Sequence, residues 1–137
     1  MSAPGIIYKK FGITFRLASS ALAILLAGFI LVQSLTEAHT SLTVSNMDKV
    51  IHLLAYFVLG AATLPALPRL RPLLVWALLS LFGGGIEIMQ GMMNLGRTAS
   101  FFDGLANASG AFLAVLFWLG LSWALSSFRQ TREKSAI

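Results

Sequence analysis

The strongest constraint on this chain is four long apolar runs separated only by short polar or proline-bearing stretches. The first extends from Leu17 to Leu35, between Arg16 and Glu37, and the second from Val50 to Leu67, closed by Pro65, Pro68 and Pro72. The third opens at Pro72, a favoured first-turn residue, and reaches about Met93. The fourth starts near Asp103 and ends near Phe128, ahead of Arg129, Arg132 and Lys134. About 20 apolar residues, at ~1.5 Å rise each, cross the ~30 Å hydrocarbon core of a bilayer. Each run therefore suits a spanning helix, and the alternation of a spanning strand is absent. The expected fold is all-α: a polytopic membrane protein, one domain, a four-transmembrane-helix bundle with helices over about 13–35, 48–67, 72–93 and 103–128. Met1 to Gly12 and Gln130 to Ile137 read as loose ends.

Composition excludes the main rival classes. Of 137 residues, 57% are hydrophobic and 11% charged, against roughly 25% charged in soluble domains. A small soluble domain cannot hide that much apolar surface in one core. A cleaved signal peptide would have a shorter apolar stretch, ~7–15 residues, followed by a small-residue site. The first run is longer and no clean site follows, so it reads as an uncleaved helix. The absence of cysteine excludes disulfides, thiolate metal sites and cysteine nucleophiles. The net charge of +5 resides in the flanks of the runs, not in a stripe interleaved with stacking aromatics. It reads as a topology signal and a contact for anionic lipid, with no nucleic-acid partner.

Eight of the ten basic residues (Lys9, Lys10, Arg16, Arg69, Arg71, Arg129, Arg132 and Lys134) fall on one side of the expected bundle. Lys49 and Arg97 fall on the other. The positive-inside rule then predicts both termini in the cytoplasm, an N-in/C-in topology.

The polar residues gather on the outer side. Four of the five acids, Glu37, Asp48, Glu87 and Asp103, map there, with His39, His52, Gln90, Asn94, Arg97 and Asn107. Their spacing is helical: Asp48, His52 and Tyr56 share a face of the second helix, Glu87, Gln90 and Asn94 a face of the third, and Asp103 and Asn107 a face of the fourth. Ionisable residues within a span are costly and usually face the bundle interior or a wet cavity. One outward-facing pocket is expected, with Arg97 as counter-ion. Plainer readings stand beside it. Ser45-x-x-Asp48 and Ser100-x-x-Asp103 fit helix-start boxes. His52 fits an interfacial histidine satisfied by a neighbour. Glu37 and His39 read as solvated loop residues. Gly83-Gly84-Gly85 reads as a close approach or a bend, not a phosphate cradle. Trp118 and Trp123 read as lipid-facing or interfacial. The pattern Ser45-x-x-Asp48-x-x-x-His52 is echoed by Ser100-x-x-Asp103-x-x-x-Asn107, as two similarly oriented helix pairs would produce.

Asp48-Lys49-x-x-His52-x-x-x-Tyr56-x-x-x-Gly60 resembles the D-K-x-x-H opening of the VanZ-like family. Glu87-x-x-Gln90 and Gly96-Arg97-x-x-Ser100-x-x-Asp103-x-x-x-Asn107-x-x-Gly110-Ala111 resemble that family's two later blocks. The match spans about Asp48 to Ala114, and departs at Ala114, where a glycine is common. The resemblance implies a bacterial plasma (inner) membrane protein of about four helices in the cell envelope, linked to low-level resistance to the glycopeptide teicoplanin. Carried over by position, the family's polar residues are Asp48, His52, Glu87, Gln90, Arg97, Asp103 and Asn107, the set selected by topology.

The leading expectation is a ligand-binding envelope protein. Those seven residues would bind a lipid-linked or peptidoglycan-related group and so alter teicoplanin sensitivity, with Arg97 and Lys49 on anionic groups. The alternative is a membrane-embedded enzyme acting on a lipid-linked or phosphate-containing substrate, with His52 and Glu87 as candidate base and acid. A metal held by His52 with Asp48, Glu87 or Asp103 is a variant, better suited to hard divalent ions than to zinc. A third reading has the polar set clamp the helices together. Transport would require an oligomer. No cofactor is called for, and the oligomeric state is left open.

Overall fold

The computed structural model describes residues 12–36, 47–93 and 100–134. They form four helices in chain order: α1 (Ile13–Leu35), α2 (Met47–Ala66), α3 (Pro72–Met93) and α4 (Phe101–Lys134). No strand occurs among the described residues. All four helices are long and apolar enough to cross a membrane, and the protein is a multi-pass membrane protein. The 20 to 23 residues of α1–α3 give about 30–35 Å of helix, matching a bilayer core. The apolar part of α4, Phe101–Phe128, has 28 residues. At about 42 Å it must tilt or project beyond the hydrocarbon.

The ends of α4 differ from the sequence expectation. It begins at Phe101 rather than near Asp103, because Ser100 caps it: Asp103 N donates to Ser100 Oγ at 3.3 Å, and Gly104 N to Ser100 O at 3.1 Å. It also continues past Phe128, so Gln130 to Lys134 is helical rather than a loose tail. Gln, Arg, Glu and Lys are all good helix formers, and Thr131 Oγ1 donates back to Ser127 O at 3.1 Å. Met1 to Phe11 lies outside the described residues. Between α2 and α3 the chain reverses in a tight turn, with Leu70 N donating to Leu67 O at 3.0 Å.

α2 and α4 run parallel and share the most extensive contact of any helix pair. Small residues permit it. A Cβ on Gly110 would collide with the Leu53 carbonyl, and one on Gly60 would lie 2.7 Å from Ala114 Cβ. Without much hydrophobic drive between helices in lipid, close backbone approach and dispersion carry association. α3 packs antiparallel against α4, and the Trp76 indole donates to Ala108 O at 3.0 Å. Away from the polar end, Leu64, Val75, Ala114, Val115 and Trp118 form the apolar core. Trp118 was expected in lipid, yet it is buried there, while Trp123 is exposed. α1 rests mainly on α2, and only 6% of its apolar window is buried.

The surface around the middle of the bundle is largely apolar: Leu25 and Leu81 are 70% and 72% exposed, and Phe101, at the polar end, is 81% exposed. Contiguous apolar surface on this scale marks contact with lipid. Several serine and threonine hydroxyls within the spans bond back to their own helix, as Thr63 Oγ1 does on Leu59 O at 2.7 Å and Ser80 Oγ on Trp76 O at 2.9 Å.

The α2–α4 seam yields a prediction. Gly110→Ala should lower stability in detergent by about 1–3 kcal/mol through overpacking. Gly120→Ala, whose Cβ meets nothing within 4 Å, should be neutral or slightly stabilising. Equal unfolding midpoints for the two variants would refute the close seam.

Candidate functional site

The polar residues converge at one end of the bundle, where α2 and α4 begin and α3 ends. Arg16, Arg69 and Arg71 lie at the opposite end, by the helix directions. Asp48 stands in the first turn of α2, largely exposed, and His52 one turn deeper, mostly buried. Asn107 on α4 is 1% exposed. Its Oδ1 accepts a hydrogen bond from His52 Nδ1 at 3.0 Å. An amide oxygen can only accept, so Nδ1 carries the proton. The other ring nitrogen, Nε2, faces Asp48 Oδ1, 3.7 Å away. Asp103, in the first turn of α4, completes a group with Asp48 and His52 whose ligand atoms lie within 4.8 Å of one another.

Glu87 enters from α3. It is 6% exposed, and its Oε2 accepts from Ser100 N at 3.1 Å, at the mouth of α4. Its Oε1 is buried without a hydrogen-bond partner, as is the Tyr56 hydroxyl. Glu87 lies within electrostatic range of His52, Asp103, Asp48 and Tyr56. Gly83, one turn earlier on α3, makes the approach possible: a Cβ there would lie 3.0 Å from Asn107 and 3.1 Å from the Tyr56 ring. Of the three consecutive glycines only Gly83 serves close packing, since Gly84 and Gly85 face open space.

Five expected site residues, Asp48, His52, Glu87, Asp103 and Asn107, thus meet across three helices. Gln90 is turned elsewhere. It is buried, and its Nε2 donates to Ser34 O on α1 at 2.7 Å. Ser34 lies in the last turn of α1, where helical carbonyls lack intrahelical partners, so Gln90 acts as a clamp between α3 and α1. Arg97 and Asn94, with Glu37, His39 and Ser45, fall outside the described residues. Sequence reasoning missed Tyr56 as a polar contributor, although it shares the face of Asp48 and His52. It also missed a groove of about 450 Å³ between α3 and α4, lined by Gly84, Ile88, Leu105 and Ala108 with Glu87 and Ser100 at its polar end. Its signal was the run of small residues Gly84, Gly104 and Ala108 on facing helices.

The Gln90 clamp is testable by hydrogen exchange. Gln90→Leu should speed exchange in the last turn of α1 while changing global stability by only about 1 kcal/mol. Unchanged exchange at α1 would show that the bond holds nothing.

A scan of protein-family models, a search of curated proteins and a search of solved structures return no match to this chain, so its chemistry has to be read from these side chains.

Proposed function

We propose that this protein is a bacterial envelope membrane protein that holds the polar end of a lipid-linked group, and thereby modulates glycopeptide sensitivity. One observation carries the reading: the apolar groove between α3 and α4 has Glu87 and Ser100 among its lining residues, and Glu87 lies within electrostatic range of Asp48, His52 and Asp103. An apolar groove with a buried carboxylate in its wall matches an amphiphile, with its chain along Ile88 and Leu105 and its head beside Glu87 and Ser100. The groove lies on the lipid side, where Ile88 is 65% exposed, so such a ligand enters laterally from the bilayer. Small residues on both walls leave the room, and pockets that bury a chain and fix a few polar atoms are the usual form of a ligand site.

The VanZ-like resemblance supports the envelope setting and the link to teicoplanin. The lysine and arginine distribution supports an outer-leaflet position for the polar end. Gln90, engaged with α1, belongs to the scaffold of this site rather than to its ligand surface.

Two outcomes are expected. In a teicoplanin-sensitive bacterium expressing the protein, Glu87→Gln and Gly84→Leu should each abolish the shift in sensitivity at normal abundance. Position 84 lines the groove and a Cβ there meets nothing within 4 Å, so a leucine has room to enter the groove and occupy it. Variants indistinguishable from wild type, or a wild-type protein without effect, would overturn the proposal. The cysteine-free chain also accepts single thiols: one in the turn at Arg69 should resist impermeant labelling of intact cells, and one at Asp48 should react. The reverse pattern inverts the orientation.

A further inference from the structure

We infer that Asp48, His52 and Asp103 form a binding site for one divalent cation, of the manganese class, at the polar end of the bundle. The proposal deepens the lipid-headgroup reading and rests on it only for what the ion's remaining coordination positions receive.

Geometry argues first. With Nδ1 donating to Asn107 Oδ1, His52 presents Nε2 to Asp48 Oδ1 at 3.7 Å. A cation between these two atoms, either a proton on Nε2 or a metal ion, joins them, and the third ligand, Asp103, is what favours the metal. At metal–ligand distances of roughly 2.1–2.3 Å, atoms this far apart subtend about 115° at a shared ion. The whole group lies within 4.8 Å, near the ~4.2–4.6 Å spanned by opposite ligands at the same distances. The group therefore closes on an ion by small side-chain movements. The Asn107 contact has the form of the outer hydrogen bond that orients ligating histidines and fixes their tautomer.

A second observation is independent of that triad. Glu87 is a buried carboxylate with one oxygen lacking a partner, within electrostatic range of all three residues. Three carboxylates gathered at one end of the bundle, Glu87 among them buried, repel one another. An anionic headgroup arriving in the proposed groove would meet the same repulsion. A divalent ion reverses the sign of the local field. It joins Asp48 and Asp103, attracts the Glu87 oxygen directly or through a water, and keeps positions open for phosphate oxygens. Two carboxylates with one imidazole suit an ion that accepts both oxygen and nitrogen, which favours manganese over calcium, with its preference for oxygen alone.

The test is titration of Mn²⁺ into the purified full-length protein in phosphatidylcholine nanodiscs, followed by the six-line electron paramagnetic resonance of the free ion. One saturable ion per chain is expected. Pulsed measurements should show nitrogen coupling from an imidazole, lost in His52→Ala. Asp48→Asn and Asp103→Asn should each weaken binding at least tenfold. Asp48 and Asp103 lie in the first turns of their helices and not at the caps, asparagine is nearly isosteric with aspartate, and Asp48 is 61% exposed, so these variants retain the fold. Gly84→Leu should bind Mn²⁺ as wild type does, because it alters the groove and not the triad. No saturable binding at millimolar Mn²⁺, or wild-type affinity in both asparagine variants, overturns the cation site. Crosslinking of a photoreactive lipid to the α3–α4 groove, run in parallel, separates the two proposals. Crosslinking without Mn²⁺ binding removes the ion alone, and Mn²⁺ binding without crosslinking removes the lipid reading alone.

Discussion

The contact between Gly110 and the Leu53 carbonyl is the constraint on which the architecture depends. It brings the backbones of α2 and α4 close enough for Asn107 to reach His52 at 3.0 Å. A side chain at that point would push the helices apart, and the polar end would lose its cross-link before its apolar core. Gly83 plays the matching part on α3, since it lets that helix approach Asn107 and Tyr56 and so delivers Glu87 to the mouth of α4. Small residues in lipid thus determine where the ionisable groups can meet.

The parallel seam also explains the echo between the two helix starts. Equivalent positions of the repeated pattern face each other: His52 pairs with Asn107, and Asp48 comes near Asp103. The inner pair differs in residue type, His52 against Asn107, and that difference matters. Two histidines would compete for one proton, whereas an amide oxygen opposite an imidazole settles which nitrogen donates.

The four spans were legible because hydropathy reports length directly, and the shared end of the acids was legible because helix direction alternates. Ser100 as a cap was legible from its spacing to Asp103. The role of Gln90 was not, because i,i+3 spacing puts Glu87 and Gln90 on one broad face without saying which neighbouring helix each meets; Gln90 meets α1. Trp118 defeated the rule that tryptophan favours the interface, since its place on α4 falls opposite Leu64 and Val75. The groove was hidden because it is defined by side chains that are missing at Gly84 and Gly104, and absence on two separate helices leaves no periodic mark.

The slight burial of α1 bears on how the protein is made. A segment that buries so little against its neighbours gains little from them, so its own partition into hydrocarbon must suffice while the rest of the chain is still being synthesised. Its polar tie to α3 is the hydrogen bond from Gln90 to the carbonyl of Ser34, which depends on α3 being in place.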